Sequence, residues 1–117
     1  MVGHVQDVDA FWRSCDVALF TAPREPFGLR ILEAMAQMVP VAGFRTGAGS
    51  DEVLLPGMCV CARMGDYEAM AELCCELADS ARLRRSMAER AYEVLRQRFS
   101  VETMTTSVLE LYARICD

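Results

Sequence analysis

Apolar positions along the chain fall into two rhythms. "DVALFT" (Asp16 to Thr21) and "PVAGF" (Pro40 to Phe44) are short, almost continuously apolar runs bounded by turn residues. That pattern suits strands buried on both faces of a mostly parallel sheet. Between them a helical period over about Gly28 to Gln37 puts Leu29, Leu32, Met35 and Ala36 on one inward face, so the segment predicts strand, turn, helix, strand: a βαβ crossover. A third strand is predicted at "MCVCA" (Met58 to Ala62), after the turn "LPG". Asp66 then caps a helix with Met70, Leu73, Cys74 and Leu77 at helical spacing. Leu83, Met87, Ala91 and Val94 line a further helix. Ser100 caps the last one, whose inward face is expected to hold Val101, Met104, Val108, Leu111 and Ile115. At the front, "DVDAFWRSC" is helical with Val8, Phe11, Trp12 and Cys15 on one side. The fold class is therefore α/β, with a short parallel sheet, flanking helices and a helical C-terminal stretch over about 66–116.

The length of 117 residues, 53% of them hydrophobic, fits one domain with a modest core, taken as 1–117. A formal charge of −5 and a scarcity of lysine argue against nucleic acid as a partner. No apolar run approaches the roughly 20 residues that span a bilayer, so no transmembrane segment is expected. The start, "MVGHVQDVDAFW", lacks the basic and apolar regions of a signal peptide, and the expected location is cytoplasmic. The six cysteines show no CxxC spacing, which favours buried or free thiols over a metal site or disulfides.

The turn after "DVALFT" is the candidate site, because ligands of parallel α/β sheets bind outside the carboxyl ends of the strands. In "APREPFGLRILEAMA" two acids, Glu25 and Glu33, are separated by seven residues across the turn and the helix start. Gly28 permits close backbone approach, and the unpaired N–H groups at the helix start favour an anion such as phosphate. A sugar–phosphate–nucleoside reconciles acids with an anion site: its phosphates take the amides, and its hydroxyls take the carboxylates. On spacing alone, Glu25 is an ordinary loop acid and Glu33 an exposed helix residue, since acids on helices are common.

The stretch "CDVALFTAPREPFGLRILEAMAQMVPVAGFRTGAGSDEVL" resembles the C-terminal, donor-binding domain of retaining GT-B glycosyltransferases, glycosyltransferase family 4 or "group 1", the glycogen-synthase and mannosyltransferase-like set. "VGHVQDV" resembles the family's GxV segment, "EPFGLRILEAMA" its Glu-seven-residues-Glu motif, and "GDYEAM" onward its terminal helices. The resemblance implies a partial Rossmann-like domain. It implies that Glu25 is the catalytic acid, contacting the transferred sugar and stabilising charge at the anomeric carbon. Phe27, Gly28 and Leu29 would offer amides to the distal phosphate and sugar, Glu33 would hold the ribose hydroxyls, and His4 and Val5 would lie near the nucleobase. The donor would be a nucleoside diphosphate sugar, used as substrate, with no cofactor and no essential metal.

The chain departs from the pattern where the family often has Gly-Gly-x-Pro-Glu, carrying Ala48-Gly49-Ser50-Asp51-Glu52 instead. The family's acceptor domain, the first βαβ of the donor domain and its Arg/Lys pair have no counterpart; Arg24, Arg30 and Arg45 do not occupy that motif. The chain on its own is thus expected to lack transferase activity, and to need a companion chain or homodimer over its open sheet edge and last helix. A different class of function stays open: a catalytically silent remnant that binds a nucleotide or another protein.

Overall fold

The computed structural model describes residues 3–116. Helix α1 (Val8–Arg13) leads into strand β1 (Ala18–Phe20), α2 (Leu29–Ala36) and β2 (Val41–Arg45). A single-turn 3-10 helix (Gly49–Glu52) precedes β3 (Cys59–Arg63), and α3 (Tyr67–Asp79), α4 (Ala81–Arg98) and α5 (Val101–Cys116) follow. The three strands are parallel in the order β1-β2-β3, with Ala18 opposite Val41, Val41 opposite Cys59 and Gly43 opposite Cys61. The architecture is therefore α/β with a short parallel sheet and a helical C-terminal half, as the apolar rhythm predicts.

Alternation along β2 divides the interior in two. Val41 faces a cluster with Ala18, Ile31, Ala34, Met35, Leu54 and Ala91, under α2. Ala42 and Phe44 face the other side, against Met70 and Leu77 of α3 and Met87 of α4. Helix α4 contributes to both clusters. It passes the amino ends of β1 and β2, where Arg84, Arg85 and Ala88 share a cleft with Asp16, Met38 and Pro40. Local chemistry fixes the helix starts: Asp7 accepts from Ala10 N–H at 2.8 Å, Asp66 from Ala69 at 3.0 Å, Ser80 from Leu83 at 3.1 Å and Ser100 from Thr103 at 3.1 Å. Arg84 donates to the carbonyls of Leu77 and Ala78, tying the end of α3 to the start of α4.

Three expectations need correction. Leu29 is 65% exposed, and the inward face of α2 is built from Ile31, Ala34 and Met35. The buried face is thus turned toward Ile31 and Ala34, and Leu29 stands at the first helical position, directly after the left-handed Gly28 (φ 94°). Strand β1 is shorter than its apolar run and is not buried on both faces, since Leu19 is half exposed at the edge of the sheet. Finally, Val101, Met104, Val108, Leu111 and Ile115 do not face a core: no residue of α5 is buried. Phe99 ends α4 and Ser100 redirects the chain, so α5 packs at the end of α4 and near the start of α2, and the described residues extend to 54 × 30 × 30 Å.

The rotation of α2 is measurable. Ile31→Ala should lower the unfolding free energy by about 2–5 kcal/mol in urea denaturation, whereas Leu29→Ala should cost under about 1 kcal/mol. Equal effects would place Leu29 in the core.

Candidate functional site

The carboxyl ends of β1 and β2 carry two loops that meet. From Phe20 the chain runs through Thr21 to Gly28 into α2, and from Arg45 it runs through Thr46 to Ala48 into the 3-10 helix. Their contact requires glycine at position 49, because a Cβ there would overlap the Pro26 carbonyl. Ser50, buried beside it, donates its N–H to the Glu25 carbonyl at 3.2 Å. Asp51 holds the second loop in shape, its two carboxylate oxygens accepting from Thr46 N–H at 3.2 Å and Gly47 N–H at 3.0 Å. The acid standing where the family pattern often has proline thus stiffens the loop by hydrogen bonds rather than by a ring.

Glu25, half-buried, turns its carboxylate back onto the start of α2, where Oε1 accepts the Gly28 N–H at 3.2 Å. Among the described residues no side chain caps the first amides of α2, and the Glu25 carboxylate faces the partial positive charge of its N-terminus. Gly28 is fixed as glycine twice over, by its φ and by the Ile31 side chain, which a Cβ would approach to 2.7 Å.

Around this turn the candidate residues divide. His4 and Val5 line a cleft of about 440 Å³ with Val8, Phe11, Trp12 and Arg30. Arg30 also pairs with Glu33 one turn along α2, Nη1 to Oε2 at 3.4 Å, while Glu33 itself does not line the cleft. The side chains of Phe27 and Leu29 line a different cleft of about 390 Å³, with Leu32, Phe99, Val101 and Met104. Phe27 meets Phe99 edge-to-face, centroids 6.2 Å apart. These two residues contribute backbone to the turn and side chains to the joint between α4 and α5.

Sequence reasoning did not assign Arg30, whose exposed side chain lines the cleft of His4 and Val5, to the site, nor identify the second loop as a support of the first. The signal for Arg30 was its position two residues after Gly28, at the start of the helix. Trp12 lines the same cleft as Arg30, and its indole Nε1 is buried without a hydrogen-bond partner among the described residues. Among those residues no three His, Cys, Asp or Glu side chains gather in metal-binding geometry, and no helix is long and apolar enough to cross a membrane.

Comparison with known proteins follows the same segments. Residues 1–80 match the family described as "Glycosyl transferases group 1". The chain is 32% identical over 115 residues to N-acetyl-alpha-D-glucosaminyl L-malate synthase of Bacillus anthracis, covering 95% of this chain and 29% of that protein. It is 32% identical over 112 residues to the lipopolysaccharide core biosynthesis glycosyltransferase LpsE of Rhizobium meliloti, covering 95% and 33%. It thus spans about a third of the length of these curated relatives. The crystal structure of Anabaena Alr3699/HepE in complex with UDP superposes with a TM-score of 0.87 at 24% identity, over 97% of this chain and 31% of that one. At that identity the likeness establishes the fold.

Because Gly49 sets how closely the two loops approach, Gly49→Ala should destabilise the protein by about 1–3 kcal/mol and displace the amide resonances of Glu25 to Gly28. A spectrum altered only around residue 49 would separate the loops.

Proposed function

This chain belongs to the group 1 glycosyltransferases, of GT-B fold, and on that premise we propose that it binds the nucleoside diphosphate sugar donor of a retaining transfer reaction. The observation that carries the reading is the turn from Glu25 to Leu29, which puts a carboxylate, a left-handed glycine and a helix start without a side-chain cap at the carboxyl edge of a parallel sheet. In this reading the amides of Phe27, Gly28 and Leu29 receive the distal phosphate and sugar. Glu25 contacts the sugar hydroxyls and stabilises positive charge growing at the anomeric carbon. Glu33 binds the ribose hydroxyls, and the cleft at His4 and Val5 receives the base. Attack comes from the face the nucleotide leaves, without an essential metal ion, and the setting is cytoplasmic. UDP and UDP-glucose complexes of the Anabaena structural neighbour support a nucleotide ligand.

Magnitudes set the expected affinity. The turn offers backbone amides, and each charge-assisted hydrogen bond a cation would add is worth about 1.5–3 kcal/mol, so the expected Kd of these 117 residues is roughly high micromolar to millimolar. Positioning both substrates supplies much of the rate of a transfer, so the 117 residues alone should turn over no nucleotide sugar. The alternative, a silent nucleotide-binding or protein-interaction module, predicts the same weak binding; it differs in staying inactive when the rest of a transferase is supplied.

The stripe Val101, Met104, Val108, Leu111 and Tyr112 on α5 remains exposed, as does the edge of β1 at Leu19. We propose that a second polypeptide surface covers them, either another copy or a companion chain bearing the acceptor half.

Two measurements test this. Titration with UDP, GDP and ADP should move the Phe27 to Leu29 amides with that weak affinity, and Glu25→Ala should reduce the response; shifts confined elsewhere would reject the turn. Analytical ultracentrifugation at tens of micromolar should show self-association or, with a companion, a stable complex. A strict monomer that binds no hydrophobic dye and no companion would show that α5 needs no cover.

A further inference from the structure

We propose that Cys59 and Cys61 form a thiol modification site, which reacts with low-molecular-weight disulfides of the oxidised-glutathione type and closes to an intrachain disulfide. The two residues are i and i+2 on β3, so their side chains leave the same face of the sheet, with the Sγ atoms 3.5 Å apart. Two strand residues at about 3.3 Å each put the Cα atoms about 6.6 Å apart, inside the upper limit for a disulfide. Parallel side chains keep the Cβ atoms at about that same spacing, against about 4 Å in a disulfide, so closure draws β3 into a local pucker, which its place at the end of the strand order allows. Cys61 lies opposite Gly43, over which the Leu54 side chain packs.

The pair is divided in role by its surroundings. Cys61 is half-buried, and its thiol is held below the usual range by the hydrogen bond to Cys59, and by the Arg45 guanidinium, against the opposing pull of burial and of Asp51. Cys59 is buried, also within 3.3 Å of the Leu55 carbonyl, and its thiol is pushed up by the hydrogen bond to Cys61 and by burial. Cys61 is thus the attacking group and Cys59 the resolving one. The other cysteines lack this arrangement: Cys75 and Cys116 are exposed, and adjacent residues such as Cys74 and Cys75 diverge around a helix.

The chemistry is two exchanges. The Cys61 thiolate attacks one sulfur of the external disulfide, whose S–S bond breaks and releases a thiolate, leaving a mixed disulfide on Cys61. Cys59 gives its proton to that thiolate and attacks the Cys61 sulfur. The second external sulfur leaves and takes up the proton that Cys61 had lost. Two thiols of the chain are oxidised, and one external disulfide is reduced to two thiols.

Cleavage after Arg45 and Arg63 isolates both sulfurs in the peptide Thr46 to Arg63, apart from every other cysteine. After incubation of the full chain with oxidised glutathione, alkylation and non-reducing digestion, that peptide should be lighter than its reduced form by two hydrogens and refractory to alkylation. Cys59→Ser should instead accumulate the glutathione adduct on the same peptide, and Cys61→Ser should slow its modification by about tenfold or more. A peptide that stays fully alkylated while Cys75 and Cys116 react would overturn the proposal, as would an absence of adduct in folded Cys59→Ser. If that variant fails to fold, the mass of the unsubstituted peptide decides alone.

Discussion

The contact on which the site depends is between two backbones, Gly49 against the Pro26 carbonyl. It forms because parallel strands deliver all their carboxyl ends to one edge, so the loops after β1 and β2 emerge side by side. Once they touch, the Ser50 N–H fixes the Glu25 carbonyl, and the Glu25 side chain is left to fold onto Gly28. Every element of the turn then has its place set by a neighbour that carries no ligand-binding chemistry itself. Asp51 belongs to this support, since its carboxylate restrains Thr46 and Gly47 at the mouth of the second loop.

A similar division runs through the helices. Helices α2, α3 and α4 each spend their apolar residues on the sheet or on one another, giving the two clusters either side of β2. Helix α5 carries an equally clear apolar stripe that stays largely exposed among the described residues. Its first turn still matters to the site, because Val101 and Met104 wall the cleft that receives Phe27 and Leu29. Any surface that covers α5 would therefore press on side chains belonging to the proposed donor turn.

How much could be read from the sequence depended on whether the cause was local. The apolar rhythm gave the three strands, and side chains such as Asp66, Ser80 and Ser100 cap the helices whose starts they precede. The turn was legible as a candidate because the motif of two acids and a glycine is contiguous. What was not legible arose from contacts distant in the chain. Periodicity finds the apolar face of α5 but cannot say whether anything lies opposite it. It also misplaced Leu29, which stands exposed at the first position of α2. Arg30 joins His4 and Val5 only through the packing of α1 on α2, which no local pattern encodes.

The interactions that now occupy the candidate turn are weak ones. The Gly28 N–H to Glu25 bond is long at 3.2 Å, and the Arg30–Glu33 pair, at 3.4 Å and with both side chains substantially exposed, falls in the class worth about 0–1 kcal/mol. A ligand that takes over these groups therefore displaces little stability, because neither carboxylate is committed to a buried pair. The rigid part is the frame beneath, Gly28 locked by its φ and Gly49 locked against Pro26. Groups that exchange partners easily, mounted on backbone that cannot move far, suit a site that must grip one charged molecule and then release its product.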